Sequence, residues 1–176
     1  MLKKIITALC ILFIISSVFN VTEINNKRRI SNHISNYIVS NIQQLSNYYE
    51  NMYTNEEPNK YFESSLIYAI EICDKVEEEI IFYNTIYPKR VMLLDNLIDD
   101  YKLLLRVMKN NPSLIEDAKI LHKQLQQYII SYVNEEINYS NNPTKTLYET
   151  DKAIKKSGNG DWYLLHDKII RLSKSI

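Results

Sequence analysis

Two glycines and four prolines are all that this chain of 176 residues has to turn with. Glycine supplies the positive φ of tight turns and proline breaks regular elements, so a chain this poor in both cannot make the many short reversals of a β-sandwich or barrel. A few long elements with few connections remain, and the spacing of the apolar residues says that they are helices. The 45% apolar and 24% charged content is that of a folded chain rather than a disordered one. The excess of Asn and the 14 Tyr read as codon bias of an AT-rich genome, not as binding chemistry.

Four stripes at spacings of three and four follow one another. Ile30, Ile34, Ile38, Ile42, Leu45, Tyr49 and Met52 line one face of a first helix, which Glu56-Glu57-Pro58 ends. Phe62, Leu66, Ile70, Cys73, Val76, Ile80, Tyr83 and Tyr87 make the second. Val91, Leu94, Leu97, Tyr101, Leu104 and Met108 make the third, closed by Asn110-Asn111-Pro112. Leu114, Ala118, Leu121, Leu125, Tyr128 and Tyr132 make the fourth, and Ser113 with Glu116 has the spacing of a capping box at its start. Pro88 admits two readings. As the first residue of the third helix it marks a hairpin turned by Asn84 and Thr85; as an interior residue it kinks one long helix. The hairpin is favoured, because it closes an antiparallel bundle where a kinked rod would leave its stripe without a partner.

After Asn141-Asn142-Pro143 a weaker helix from Thr144 to Lys156 leads to the Ser157-Gly158-Asn159-Gly160 turn. Asp161 then caps a short helix with Trp162, Leu165, Ile169 and Leu172 on one side. The expected fold is all-α: an antiparallel helical bundle of about four long helices with a short C-terminal helical hairpin packed on it, behind an N-terminal signal-anchor segment. The corresponding divisions are residues 1–21, 22–143 and 144–176.

The N-terminal segment carries the strongest address. Lys3 and Lys4 precede an apolar run from Ile5 to Phe19, interrupted only by Thr7, Ser16 and Ser17. A cationic start before such a run is read by the export machinery as a signal peptide or signal anchor. Signal peptidase needs small residues at the last and third-last positions before its cut, but Ile14 precedes Ser16 and Ile15 precedes Ser17, so retention as an anchor is expected. Leu9 before Cys10 is too large for a lipidation motif. Lys3 and Lys4 favour a body outside the cytoplasm, while Lys27, Arg28 and Arg29 pull the other way and otherwise read as a headgroup contact. Three basic residues do not make a nucleic-acid interface, and none is expected.

Charge is divided along the body. Residues 54–100 hold eleven Asp and Glu against four Lys and Arg, whereas residues 144–176 hold seven Lys and Arg against four acids. The acidic second helix reads either as a solvated face or as a docking surface for a cationic partner, with Glu77, Glu78 and Glu79 as its densest point. A second cluster, Trp162, Tyr163 and His166 beside Asp161, reads either as a plug closing the C-terminal hairpin or as a partner-binding anchor. Cys73 lies on the second apolar stripe and reads as a buried structural thiol.

Catalytic patterns do not emerge. His33, His122 and His166 lie on different segments outside any metal-binding spacing, Asp95, Asp99 and Asp100 match no calcium loop, and Gly158-Asn159-Gly160 lacks the Lys-Ser/Thr of a phosphate loop. No catalytic residue, metal or cofactor is assigned. The expected function is that of a binding or scaffolding module outside the cytoplasm, held to a membrane by residues 5–19 and meeting a protein partner. The rivals are a secreted helical protein after signal cleavage, a sensor or regulatory subunit of a membrane complex, and an enzyme using residues near His166.

Overall fold

A computed structural model describes residues 2–53, 58–87, 90–133, 143–157 and 161–175. Within them the chain is all-α, with six helices: α1 (Leu2–Tyr53), α2 (Pro58–Ile86), α3 (Met92–Asn110), α4 (Ile115–Ile130), α5 (Pro143–Ser157) and α6 (Asp161–Lys174), and a 3-10 turn at Pro112–Leu114 before α4.

One unbroken helix, α1, runs through both the apolar segment and the first stripe of the body. Its 52 residues span about 78 Å at 1.5 Å per residue. The two halves meet different surroundings. Every apolar side chain described from Ile6 to Ile30 is exposed, and the first buried residue is Ser31. From there Ile34, Ile38, Ile42, Leu45 and Met52 enter the core. Full burial of such side chains contributes about 1.5–3 kcal/mol each, so the second half of α1 is held by packing and the first half is not.

The bundle is built by antiparallel neighbours. Asn41 meets Glu79 and Tyr48 stacks on Tyr68, so α2 descends as α1 rises. Lys102 reaches back to Glu77 from α3. Gln126 bonds Ser46 at 2.9 Å and His122 bonds Tyr53 at 2.8 Å, which sets α4 antiparallel to α1. α6 packs on α3 and α4, so it belongs to the bundle wall, whereas α5 packs on α1 and α3.

The expected reversal between the second and third helices is present: α2 and α3 are separate helices packed side by side. Three local expectations are corrected. α3 starts at Met92, and Pro88 lies outside the described residues. Asn84 and Thr85 stay inside α2; the Asn84 side chain closes the connection by accepting the Val91 amide at 3.0 Å. The capping box at Ser113 does not form, because Pro112 already starts a 3-10 turn and Leu114, without a side-chain cap, takes the N-cap position of α4. The buried face of α4 is rotated from the expected stripe: His122, Gln126 and Ile129 join Ala118 and Leu125, while Leu121 and Tyr128 are half-buried at its edge. The endings read at Glu56-Glu57 and at Gly158-Asn159-Gly160 lie outside the described residues.

Candidate functional site

The acidic triplet on α2 is divided by helical geometry, since consecutive residues point about 100° apart. Glu77 turns inward to the ammonium of Lys102, which also holds Asp74 at 2.6 Å. Glu79 accepts both contacts of the Asn41 amide, at 3.1 and 3.2 Å. Glu78 is exposed. Partial burial pushes the Glu77 and Asp99 carboxyls above the ordinary carboxylate range, and Lys102 opposes the shift. Only one of the three glutamates is therefore free of an internal task, and the other two tie α2 to α1 and α3.

The aromatic cluster on α6 is also dispersed. Trp162 is 5% exposed and belongs to the core, with its ring centroid 3.6 Å from that of Tyr163, which stands outside. His166 meets Asp100 of α3 at 2.7 Å. Burial raises the Asp100 carboxyl, and the hydrogen bond and charge of His166 oppose that rise. The pair fastens α6 to α3. Asp100 is thereby occupied and Asp99 faces Glu77; among the described residues no group of three His, Cys, Asp or Glu is placed to hold a metal ion. Cys73 is fully buried, with its thiol pushed well up by that burial, as a structural role requires.

The apolar stripes of the sequence do not account for a polar cluster in the core. His122 is 0% exposed and ringed by Tyr49, Tyr53 and Tyr101, with ring centroids 4.9, 5.5 and 4.6 Å away. Its Nδ1 meets the Tyr53 hydroxyl, its Nε2 has no hydrogen-bond partner, and burial lowers its pKa to about 3. Beside it the Tyr101 hydroxyl donates to Gln126, which donates to Ser46. These bonds fasten α4 to α1 and α3 around a buried imidazole. The signal was legible as polar residues, His122 and Gln126, on the apolar period of Ala118, Leu125 and Ile129.

The surface offers a groove of about 530 Å³ where α4, α5 and α6 meet, lined by Gln124, Gln127, Tyr128, Ser131, Ile154, Asp161, Leu164, Leu165 and Lys168. That volume lies within the usual range for small ligand sites, about 300–1,000 Å³. Asp161 and Lys168 are two helical turns apart on α6, about 10.5 Å, and put opposite charges at the two ends. Leu164, 61% exposed, lies between them. Burial and the negative charge of Asp161 raise the Tyr128 phenol, which keeps its hydroxyl protonated and able to donate. The amides of Gln124 and Gln127 supply donors and acceptors on the opposite wall. Leu164 was the available clue: it is apolar but falls off the stripe of Trp162, Leu165 and Ile169.

Comparison with protein-family models, with curated proteins and with solved structures finds no match. The fold and the groove together define an all-α bundle carried on a long N-terminal helix, the apolar half of which is long and apolar enough for a membrane span or a signal sequence.

Proposed function

We propose that this protein is a membrane-anchored binding module: the apolar half of α1 crosses the bilayer, the bundle stands outside the cytoplasm, and the α4–α6 groove receives a segment of a protein partner. The observation that carries the reading is the continuity of α1. Isolated helices are marginal in water, and a lipid environment gives an unpacked apolar helix a reason to persist, because every backbone polar group must then be satisfied within it. The hydroxyls in that half follow the same rule: Ser17 donates to the Phe13 carbonyl at 2.8 Å and Thr22 to the Val18 carbonyl at 2.9 Å. Lys3 and Lys4 before the run favour the outward orientation of the body, against the pull of Lys27, Arg28 and Arg29 after it. The groove suits an extended or helical peptide with a basic residue toward Asp161, an apolar one over Leu164 and an acidic one toward Lys168. No reaction is assigned to it.

Fractionation of the native host with intact mass measurement tests the anchor. The full chain should remain with membranes through a carbonate wash, and externally added protease should remove the body. Recovery from the medium with residues 1 to about 20 missing would replace the anchored reading by the secreted one. A photo-crosslinker at residue 164 should trap a partner that one at Lys109, at the far end of α3, does not; equal trapping from both positions would move the interaction away from the groove.

A further inference from the structure

α5 lies across the end of the bundle from which the apolar half of α1 emerges. Tyr148 stands near Tyr83 at the end of α2, Asp151 bonds Leu94 in the first turn of α3 and Tyr132 just past α4, and Ile154 lines the groove with Leu165 of α6. α4 comes level with α1 only from about residue 40 upward, judging by Ser46–Gln126 and Tyr53–His122. The stretch of α1 below it is the part that α5 is placed to cover. The helix thus buries Leu147, Thr150, Asp151 and Ile154 toward the bundle, presents Lys152 and Lys156 on its opposite face, and carries exposed Lys155 on its flank, one turn past Asp151. Exposed Arg28 and Arg29 stand on α1 at the same end, and exposed Arg90 lies just before α3 starts there. Lys27 is engaged by Glu23 at 2.7 Å.

We propose that this end of the bundle seats on anionic lipid headgroups, with Arg28, Arg29, Arg90, Lys152, Lys155 and Lys156 forming a cationic collar around the exit of α1. The inference rests on the anchored reading and goes beyond it, since a tethered bundle need not touch the surface. From Val21, the last apolar residue before the charge of Glu23, to Ser31 is about 15 Å along the helix. The interfacial layer takes up about 5–7 Å of that, so Arg28 and Arg29 lie just above it and a tilt of the bundle brings the α5 lysines to the headgroups. Among the described residues, Glu149 and Asp161 are exposed acids near this end, against six cations, whereas Glu71 and Glu78 sit farther along the flank of α2. Basic residues next to a span are drawn to anionic lipid over roughly a Debye length, about 10 Å at 0.1 M salt.

The test uses the full chain with Cys10→Ser, spin-labelled singly at Leu12→Cys, Ala153→Cys or Ser113→Cys, the last at the far end of the bundle. It is reconstituted in phosphatidylcholine vesicles with or without about 30 mol% phosphatidylglycerol, each carrying a lipid with a nickel chelate on its headgroup. The label at 153 should be relaxed by the headgroup nickel far more than that at 113, and more strongly in the anionic vesicles. Lys152→Gln, Lys155→Gln and Lys156→Gln together, or salt at about 1 M, which shortens the screening length to about 3 Å, should remove most of that difference while circular dichroism stays unchanged. Relaxation at 153 no greater than at 113, with the label at 12 shielded from water-soluble nickel, overturns the seating and leaves the anchor standing. Relaxation at 153 indifferent to the lysines, salt and lipid charge overturns the electrostatic collar. A label at 12 open to water-soluble nickel overturns the anchored reading, and the seating with it.

Discussion

The carboxylate of Asp151 on α5 accepts the backbone amide of Leu94 at 2.8 Å, so a residue 57 positions away in sequence caps the start of α3. Val91, at the N-cap position itself, provides no side-chain bond. The same oxygen accepts the buried Tyr132 hydroxyl at 3.0 Å. Burial raises the Asp151 carboxyl, and the amides of Leu94 and Leu93 with the Tyr132 hydroxyl oppose the rise. α5, the start of α3 and the turn after α4 are joined at one side chain.

Asp151→Ala should lower unfolding stability by about 1–3 kcal/mol, because it removes the cap of α3 and an acceptor of the Tyr132 hydroxyl. Tyr132→Phe removes one of the same bonds, so the summed losses of the two single variants should exceed the loss of the double variant. Urea melts of the three variants give the comparison; additive losses would mean that the cap alone accounts for the effect of Asp151→Ala.

His122 gives the acid limb of stability. Its folded pKa of about 3 lies below the ordinary 6.5, so the unfolded chain binds a proton between those values that the folded chain refuses. The stability it contributes is complete above about pH 6.5 and is lost as the pH falls toward 3. Asp100 and Asp151 act in the opposite sense: their folded carboxyls lie above the ordinary value, so they favour the folded state at low pH and lose that effect as the pH rises through the raised values. Substitution separates the two sets. Relative to His122→Phe, the wild type should lose roughly 1.4 kcal/mol per pH unit between about pH 6 and 4. A constant gap across that range would show that the imidazole is hydrated in the folded protein.

Lys102 is 14% exposed and neutralises Glu77, itself 19% exposed. Lys102→Met should destabilise by about 1–3 kcal/mol, less than a fully buried pair would, and Glu77→Gln in that background should restore part of it. Additive losses in the double-mutant cycle would refute the coupling. The same geometry makes reversal of the whole Glu77–Glu79 triplet an unsuitable test of docking. Glu78→Lys alone changes the surface without breaking a tie.

Leu97 and Leu125 are 1% and 0% exposed, so Leu97→Asp or Leu125→Asp places an unpaired charge in the core and should abolish cooperative melting. Leu164→Asp, on a side chain 61% exposed, should shift stability by no more than about 0.5 kcal/mol while weakening capture of a groove partner. Loss of folding in Leu164→Asp would place that leucine in the core instead.

The sequence by itself determined the class of the protein. Scarce Gly and Pro with apolar residues every three or four positions permit only long helices, and that periodicity is a local property that needs no tertiary information. Ile34, Ile38, Ile42, Leu45 and Met52 on α1 and the stripe from Leu94 to Met108 on α3 are buried as their spacing requires, while Ile30 is exposed and Tyr49 half-buried. The apolar run from Ile5 was legible for the same reason. The tertiary structure alone decided which polar residues the bundle spends on itself. Glu77 and Glu79 each stand one residue from Glu78, yet Lys102 and Asn41 draw the first two inward because α3 and α1 pass there. His166 finds Asp100, and Asp151 finds Leu94, across gaps of 66 and 57 residues. The groove exists only where α4, α5 and α6 converge. Such pairings depend on the mutual rotation and register of packed helices, which follow from how side chains interlock across the whole core and not from any stretch of it.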